Sequence, residues 1–179
     1  MPLYFAYGSN MDLAAMAQRC PRSKPLGPAR LVRHRFFIME TGWASVLADP
    51  RREVHGVLWD LALSDVRVLD QYEEVPTGLY RKIIQPVLRG AGASSRALVY
   101  MGGTTRAGAA MPGYMESLIE AARSWSFPEN YLRELQAFAP ASARGAAAPF
   151  GREPPATSKP ATGVKVRPRF ASPFDKGRA

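Results

Sequence analysis

Cysteine and histidine are scarce in this chain of 179 residues, which has one cysteine, Cys20, and two histidines, His34 and His55. A single cysteine excludes an intramolecular disulfide and fits a reducing compartment, so we expect a cytoplasmic protein. One thiol and two separated imidazoles fall short of the ligand spacing of a metal site, and we predict no metal. A Ser-His-Asp triad built on Ser9 would lack the Gly-x-Ser-x-Gly turn, so the sequence does not favour one.

Long apolar runs and nucleotide-binding glycine motifs are also missing. No stretch of about 18 apolar residues is present, so we expect no membrane span. The N-terminus has no basic segment followed by an apolar one, so we expect no signal peptide. The glycines match neither a phosphate-binding loop nor a dinucleotide-binding turn, which argues against a nucleotide site.

Acidic residues are outnumbered, with 15 against 24 Lys and Arg, for a net charge of +9. Most of the excess follows residue 139, where eight basic and two acidic residues leave a charge of +6. That segment is rich in Pro, Ala and Arg, a composition typical of a flexible chain. We therefore predict one folded domain over residues 1–139 and a basic, flexible tail over residues 140–179.

Apolar segments and Pro/Gly breaks alternate along the first 139 residues. Strand patterns dominate the middle and helical patterns the C-terminal part, so we predict an α+β fold, a mixed β-sheet or barrel of about six strands with flanking helices. The predicted strands span residues 4–7, 31–39, 44–48, 54–61, 80–89 and 96–102, and the predicted helices 11–19, 66–73, 114–125 and 129–138. Residues 20–29 contain three prolines and are predicted as a loop. Gly56 inside a strand predicts a bulge or a close backbone approach.

The stretch from residue 4 to residue 12 predicts a strand, a tight turn and the start of a helix. Its aromatic residues favour a strand, and Gly8 allows a sharp turn. Ser9 or Asn10 is a preferred N-cap, with Asp12 in the first helical turn. Such a turn aims unpaired N–H groups at one point, which suits an anion or a carbonyl oxygen. The local pattern leaves open whether this is a binding site or an ordinary connection.

A second informative stretch, Leu69–Arg81, contains an acidic cluster beside a Pro/Gly break. Val66, Leu69 and Glu73 are spaced to share one helical face. A carboxylate on an apolar face must be paired, protonated or functional. Burial, with Glu74 next to it, would raise the pKa of Glu73 towards the range of a general base. The alternative is a solvated acidic helix end, which the pattern alone does not exclude.

Several short motifs follow one another in a fixed order. They are Tyr7-Gly8-Ser9-Asn10-Met11, Arg19-Cys20-Pro21, Val54-His55-Gly56-Val57-Leu58-Trp59, Leu69-Asp70-Gln71-Tyr72-Glu73, Tyr80-Arg81, Ala97-Leu98-Val99-Tyr100, Pro112-Gly113-Tyr114 and Phe127-Pro128-Glu129-Asn130-Tyr131. In this order they resemble the gamma-glutamylcyclotransferase-like family, which includes the avirulence-induced-gene-like proteins. The resemblance covers nearly all of residues 3–138, and its specificity comes from the combination of motifs.

The resemblance implies a mixed barrel with a pocket at the end of the sheet, and a lyase-type enzyme that needs no metal or cofactor. In the implied reaction, the α-amine of a γ-glutamyl compound attacks its own γ-carbonyl, giving 5-oxoproline and a free amine. Matched motif to motif, Glu73 is the implied general acid/base. The implied substrate-binding residues are Tyr7, Gly8, Ser9, Asn10, Met11, Tyr80 and Tyr114. The turn among them would bind either the α-carboxylate or the developing oxyanion.

Glu74 departs from the family, which commonly has glycine at that position, and the tail lies outside the resemblance. A second hypothesis is therefore a non-catalytic binding module that uses the same pocket, with the basic tail on nucleic acid or anionic surfaces. The tail has few aromatic residues, which disfavours specific nucleic-acid recognition. The leading hypothesis has a small-molecule γ-glutamyl substrate, no specific nucleic acid and no membrane as partners, and it allows a homodimer.

Overall fold

Two long β-hairpins and one short strand form the sheet in the computed structural model, which describes residues 1–90 and 92–139. The strands are β1 Leu3–Ala6, β2 Lys24–Ile38, β3 Ala44–Asp60, β4 Tyr80–Arg89 and β5 Ala93–Gly102. The helices are α1 Leu13–Arg19, α2 Leu63–Tyr72, α3 Tyr114–Ser124 and α4 Glu129–Gln136. Single 3-10 turns, Ser9–Met11 and Val75–Thr77, precede α1 and follow α2.

The sheet closes into a barrel in the order β1-β3-β2-β4-β5. The pairs β1–β3, β3–β2, β2–β4 and β4–β5 are antiparallel, and β5 returns to β1 in parallel, with Tyr4 opposite Leu98. Closure leaves no free sheet edge. The predicted α+β architecture with a mixed barrel is confirmed.

The barrel has five strands rather than about six, because two of the predicted strands are continuous. Residues 44–48 and 54–61 both belong to the long run of β3. Residues 49–52, which lie between the two predicted strands, face a register shift beside Arg33 of β2. Arg33 has a φ of 61°, in the left-handed region. A bulge of this kind bends a strand and increases its twist. Residues 49–52 therefore mark a bend within β3 and not the end of a strand.

The prediction of a loop over residues 20–29 is wrong from Lys24 onward. Lys24 pairs with Asp60 and Pro25 with Trp59 at the start of β2. The register then shifts between Pro25 and Gly27. Proline lacks a backbone donor and is accepted beside such irregularities, so its presence here did not exclude a strand.

The helix α1 begins two residues later than predicted and has a different cap. Asp12 is its N-cap, and the Asp12 carboxylate accepts a hydrogen bond from the Ala15 N–H at 2.7 Å. The expected caps Ser9 and Asn10 lie instead in the preceding 3-10 turn. Their side chains are therefore free to serve the site described below.

The helix α2, in contrast, starts three residues earlier than predicted, at Leu63, with Ala62 as its N-cap. Asp65 is buried in the first turn. Its carboxylate accepts hydrogen bonds from the Arg22 N–H at 3.0 Å and the Ser23 hydroxyl at 2.9 Å. This contact ties the segment after α1 to α2. The helices α3 and α4 end within two residues of their predicted ends.

The end of β1 packs closely on β3 at Gly56. A Cβ at that position would lie 2.3 Å from the Ala6 carbonyl oxygen and 2.5 Å from the Phe5 ring. The close approach predicted at Gly56 is confirmed. It fixes the point at which the chain leaves β1 for the site.

None of the helices in the described ranges is long and apolar enough to cross a bilayer. The predicted tail, residues 140–179, lies outside the described residues.

Candidate active site

A 3-10 turn carries the chain from β1 to α1 at the open end of the barrel. The Met11 N–H donates to the Gly8 carbonyl at 3.0 Å, which closes the turn. The Met11 carbonyl accepts from Trp125 Nε1 at 2.8 Å, so the end of α3 holds the turn in place. The predicted strand–turn–helix is present, but its turn is separate from the first turn of α1.

Gly8 provides space rather than an unusual backbone angle. Its φ is −120°, which any residue adopts. A Cβ at Gly8 would lie 3.1 Å from the Tyr114 hydroxyl, closer than a comfortable contact. The absence of a side chain therefore keeps the floor of the loop open where α3 approaches it.

Glu73 follows the last residue of α2 and faces this loop. Asn10 Nδ2 donates to Glu73 Oε1 at 2.8 Å and to the Tyr4 hydroxyl at 3.0 Å. The Asn10 residue is only 2% exposed, so this contact is shielded from solvent. The structure thus brings together the two stretches on which the sequence analysis centred, although 63 residues separate Asn10 from Glu73.

Burial raises the pKa of the Glu73 carboxyl group from 4.5 to about 8. The positive charge of Arg19 and the hydrogen bond from Asn10 act in the opposite direction. Glu74 does not contribute to this shift, whose causes are burial, Arg19 and Asn10. The Glu74 carboxylate lies instead 3.3 Å from the Thr77 hydroxyl. Desolvation, not a neighbouring carboxylate, therefore places the Glu73 pKa near the working pH of a general acid/base.

The backbone of Glu74 explains why a glycine suits this position. Glu74 has φ 49° and ψ 41°, in the left-handed region, and it begins the 3-10 turn Val75–Thr77. Glycine adopts that conformation without the clash of a Cβ atom, whereas other residues lose stability. The departure noted in the sequence is thus a cost to the backbone, and the side chain bonds Thr77 on the exposed side.

Arg19 lies behind Asn10, on the side away from Glu73. Arg19 Nη1 donates to Asn10 Oδ1 at 2.7 Å. The Arg19 guanidinium also stacks on the Tyr72 ring, with its central carbon 3.8 Å from the ring centroid. The Tyr72 and Ser9 hydroxyls are hydrogen-bonded at 3.1 Å. Arg19 therefore connects α1, the loop and the end of α2.

Tyrosine dominates the pocket around Glu73. The pocket is lined by Tyr4, Tyr7, Gly8, Ser9, Asn10, Ala44, Glu73, Tyr80, Tyr100 and Tyr114. Tyr72 borders the adjoining cavity towards solvent, so six of the seven tyrosines surround the site.

Two of these tyrosines already use their protons. The Tyr7 hydroxyl donates to the Tyr100 carbonyl, and the Tyr80 hydroxyl donates to the Ala44 carbonyl at 2.6 Å. Burial raises the pKa of both phenols, so they stay protonated. The lone pairs that remain on their oxygens can only accept hydrogen bonds. Together with the Glu73 carboxylate, they suit a group that carries N–H donors.

A wider groove continues from the pocket towards solvent. Ser9, Trp43, Tyr72 and Tyr114 are shared between the groove and the cavity beside Glu73. Trp43 packs edge-on against Tyr114, with ring centroids 5.2 Å apart. The other groove residues are Met111, Pro112, Gly113, Glu116, Ser117 and Glu120. The walls are therefore aromatic and apolar, and the charged side chains among them are acidic.

All of the predicted site residues except Met11 line the pocket. The Met11 side chain is fully buried, and its N–H and carbonyl are both engaged within the protein. Any binding role of the others remains a prediction. Sequence reasoning assigned no role to these residues at the site: Tyr4, Arg19, Ala44, Tyr72 and Tyr100. Arg19 and Tyr72 belonged to quoted motifs, whereas Tyr4 is one of three consecutive buried residues of β1 and gave no separate signal.

The histidines lie away from this pocket. His34 Nδ1 is 2.9 Å from the Val32 carbonyl, and His55 Nε2 is 3.4 Å from a Glu53 oxygen. Neither imidazole lines the pocket with Ser9. Within residues 1–90 and 92–139, no three His, Cys, Asp or Glu side chains are grouped to hold a metal ion.

Fold and site together define a class of protein. It is a small, mixed five-stranded barrel that places one desolvated carboxyl group opposite a 3-10 turn in a tyrosine-lined pocket.

Comparisons with known proteins agree with this class. A family model described as the AIG2-like family matches residues 53–135, which include Glu73. The gamma-glutamylcyclotransferase of Mus musculus is 28% identical over 153 residues, which cover 80% of this chain and 81% of that protein. The protein of the same name from Homo sapiens is 27% identical over 148 residues, covering 77% of this chain and 79% of that one.

Solved structures give the same result. A gamma-glutamyl cyclotransferase superposes with a TM-score of 0.73 at 26% identity, over 82% of this chain and 93% of that chain. An uncharacterized protein from Homo sapiens superposes with a TM-score of 0.71 at 28% identity, over 77% and 88% of the two chains. The chain is therefore a distant homologue of AIG2-like proteins and gamma-glutamylcyclotransferases over about 80% of its length.

Proposed function

We propose that this protein is a cyclotransferase that cleaves a γ-glutamyl amide and releases 5-oxoproline and a free amine. The observation that carries the proposal is the 2.8 Å hydrogen bond from Asn10 Nδ2 to Glu73 Oε1 inside the pocket. It sets a carboxyl group with a pKa of about 8 beside a turn that presents N–H groups. The similarity to gamma-glutamylcyclotransferases supports the reaction type without fixing the activity of this chain.

The pocket suits the α-ammonium group of a glutamyl substrate. The oxygens of Tyr7 and Tyr80 can accept hydrogen bonds from it, because both hydroxyl protons are committed to backbone carbonyls. Glu73 supplies a third acceptor when it is ionised. The N–H groups at the start of the Ser9–Met11 turn then face the negative or polarised oxygens of the same substrate.

The reaction needs one group that first accepts and then donates a proton. The Glu73 carboxylate takes a proton from the α-ammonium, and the neutral amine attacks the γ-carbonyl carbon to form the ring C–N bond. The γ-carbonyl oxygen becomes negative in the tetrahedral intermediate and is stabilised by N–H donors. The Glu73 carboxylic acid then protonates the leaving nitrogen as its bond to the γ-carbon breaks. The ring nitrogen still carries the extra proton it gained in the attack, and this proton passes through the Glu73 carboxylate to the released amine, which departs as an ammonium. No water is consumed, and Glu73 returns to its ionised form.

Tethering makes such a reaction well suited to a small pocket. The nucleophile and the carbonyl belong to one molecule, so orientation alone supplies a large share of the acceleration. The leaving amine would extend along the groove past Trp43 and Tyr114.

The test is the release of 5-oxoproline from a panel of γ-glutamyl amino acids, γ-glutamyl amines, γ-glutamyl-ε-lysine and glutathione. We expect the wild type to act on at least one substrate and Glu73→Gln to lose at least 1,000-fold in kcat, a magnitude typical of removing an acid/base group that acts twice. Glu74→Gln is the matched control, because it makes the same chemical change at the next residue, outside the pocket. Absence of 5-oxoproline from every substrate, or full activity of Glu73→Gln, would refute the proposal.

A further inference from the structure

The Asn10 amide stands between a cation and a carboxyl group. Arg19 Nη1 donates to Asn10 Oδ1 at 2.7 Å, and Asn10 Nδ2 donates to Glu73 Oε1 at 2.8 Å. We infer that Arg19 is a positioning residue that fixes the orientation of the Asn10 amide, so that this amide donates to Glu73 and favours its ionised form. The inference rests on the proposed function only in treating Glu73 as the acid/base.

An amide side chain can present either end to a carboxyl group. With its NH₂ group towards Glu73, Asn10 stabilises the carboxylate; with its oxygen towards Glu73, it would accept from, and stabilise, the protonated acid. The second Asn10 Nδ2 proton is donated to the Tyr4 hydroxyl at 3.0 Å. If the amide were flipped, the Tyr4 hydroxyl could instead donate its own proton to the Asn10 oxygen. Asn10 and Tyr4 alone therefore do not fix the amide, whereas Arg19, which only donates, does.

Arg19 is itself held in place. Its guanidinium stacks on the Tyr72 ring, 3.8 Å from the centroid, and Tyr72 is hydrogen-bonded to Ser9 at 3.1 Å. The stack leaves Nη1 in the direction of Asn10. Arg19 makes no direct ion pair with Glu73 within 4 Å, so its influence passes through the amide and through the longer-range field.

The other groups facing Glu73 are tyrosines from the surrounding elements and one thiol. These groups are Tyr4 in β1, Tyr7 directly after β1, Cys20 at the end of α1, Tyr72 in α2, Tyr80 in β4, Tyr100 in β5 and Tyr114 in α3. Arg19 is the cation that acts on Glu73. Burial raises the phenol pKa values of the five tyrosines that line the pocket and keeps them protonated. Burial also raises the pKa of Cys20 to about 12, so these groups stay neutral where Glu73 titrates.

The direct test is a titration of the Glu73 carboxyl carbon by NMR in ¹³C-glutamate-labelled protein, with Glu73→Gln used to assign the signal. We expect Arg19→Leu to move the midpoint upward by about one pH unit or more, the size of effect of a nearby opposite charge and its hydrogen bond. Arg19→Gln removes the same charge but retains an N–H donor for Asn10 Oδ1. It should therefore shift the midpoint by less than Arg19→Leu.

Arg22→Leu is the matched control for charge. The Arg22 residue is exposed three positions further on, and it bonds Asp65 through its backbone N–H alone. We expect its midpoint to stay at the wild-type value. Equal shifts in Arg19→Leu and Arg19→Gln would show that charge alone acts, and an unchanged midpoint in Arg19→Leu would show no coupling; either result overturns the inference.

The kinetic readout follows from the same shift. A midpoint that moves from 8 to 9 reduces the ionised fraction at pH 7 about tenfold, so kcat/KM of Arg19→Leu should fall about tenfold at pH 7 and recover above pH 9. Arg19→Lys, which keeps the charge and a donor, should restore most of the loss. The NMR titration does not depend on turnover, so an inactive wild type would refute the proposed function and leave this inference testable.

Discussion

Replacing Glu73 should stabilise the protein at high pH while it abolishes activity. In the native state, burial raises the pKa of Glu73 from 4.5 to about 8, whereas in the unfolded chain the group returns to its ordinary value. Between these two values the folded protein holds a proton that the unfolded chain has lost. The free energy of unfolding of the wild type must therefore fall as pH rises through this window.

The size of the effect follows from the shift. The slope is about 1.4 kcal/mol per pH unit, and the window of about 3.5 units gives an upper value of about 5 kcal/mol. The loss begins above pH 4.5 and is complete above pH 8. Glu73→Gln has no proton to lose, so its stability relative to the wild type should increase by several kcal/mol between pH 5 and pH 8.5.

The assay is urea unfolding of both proteins at pH 5, 6.5, 8 and 8.5, followed by tryptophan fluorescence. Glu74→Gln serves as the control, because its side chain bonds Thr77 outside the pocket, and its curve should run parallel to the wild type. The reasoning fails if the difference between Glu73→Gln and wild type is the same at pH 5 and pH 8.5. In that case the Glu73 carboxyl group is not desolvated in solution.

Three further substitutions test separate parts of the site. Glu74→Gly should raise the free energy of unfolding by about 1 kcal/mol in urea, because glycine adopts the left-handed conformation found there, and equal or lower stability would contradict this. Gly8→Ala should lower kcat/KM about tenfold with little change in stability, since its Cβ would press on the Tyr114 hydroxyl without straining the backbone. Glu116→Lys should raise kcat/KM a few-fold for γ-glutamyl amino acids, because their leaving group carries a carboxylate. It should not change kcat/KM for γ-glutamyl amines. The effect is modest because solvent screens an exposed charge.

The sequence predicted those elements whose pattern is local. The helix α3 follows from apolar spacing after Pro112-Gly113, and the hairpin of β4 and β5 follows from two strand patterns around a glycine-rich turn. The sequence predicts two strands where the structure has the single long strand β3. A Pro/Arg-rich segment has the same pattern whether it forms a turn or bends one strand beside Arg33. Only the register against β2 distinguishes the two cases.

The sequence predicted the turn and the carboxyl group of the site, but not the Arg19 side chain that contacts Asn10. Glu73 and the Gly8–Asn10 turn were found from the motifs, and the structure places them in contact through Asn10. The role of Arg19 depends on a hydrogen bond to a side chain on another element, which no spacing in the sequence encodes. The sequence left open whether Glu74 perturbs the protonation of Glu73 or points to solvent. Its left-handed backbone conformation was not predicted, because a residue name does not reveal φ.

The desolvation that costs stability is also what makes Glu73 useful in the proposed reaction. A peptide α-ammonium has a pKa of about 8, and a free α-carboxylate beside it raises the value further. An ordinary Glu, with a pKa of 4.5, would accept its proton at a cost of about 5 kcal/mol, whereas a Glu with a pKa of about 8 accepts it at little cost. Burial without the opposing effects of Arg19 and Asn10 would raise the pKa of Glu73 further, and the acid would then be slower to return its proton to the leaving amine. The opposing effects of burial and the Arg19–Asn10 pair thus keep one carboxyl group able to work in both directions.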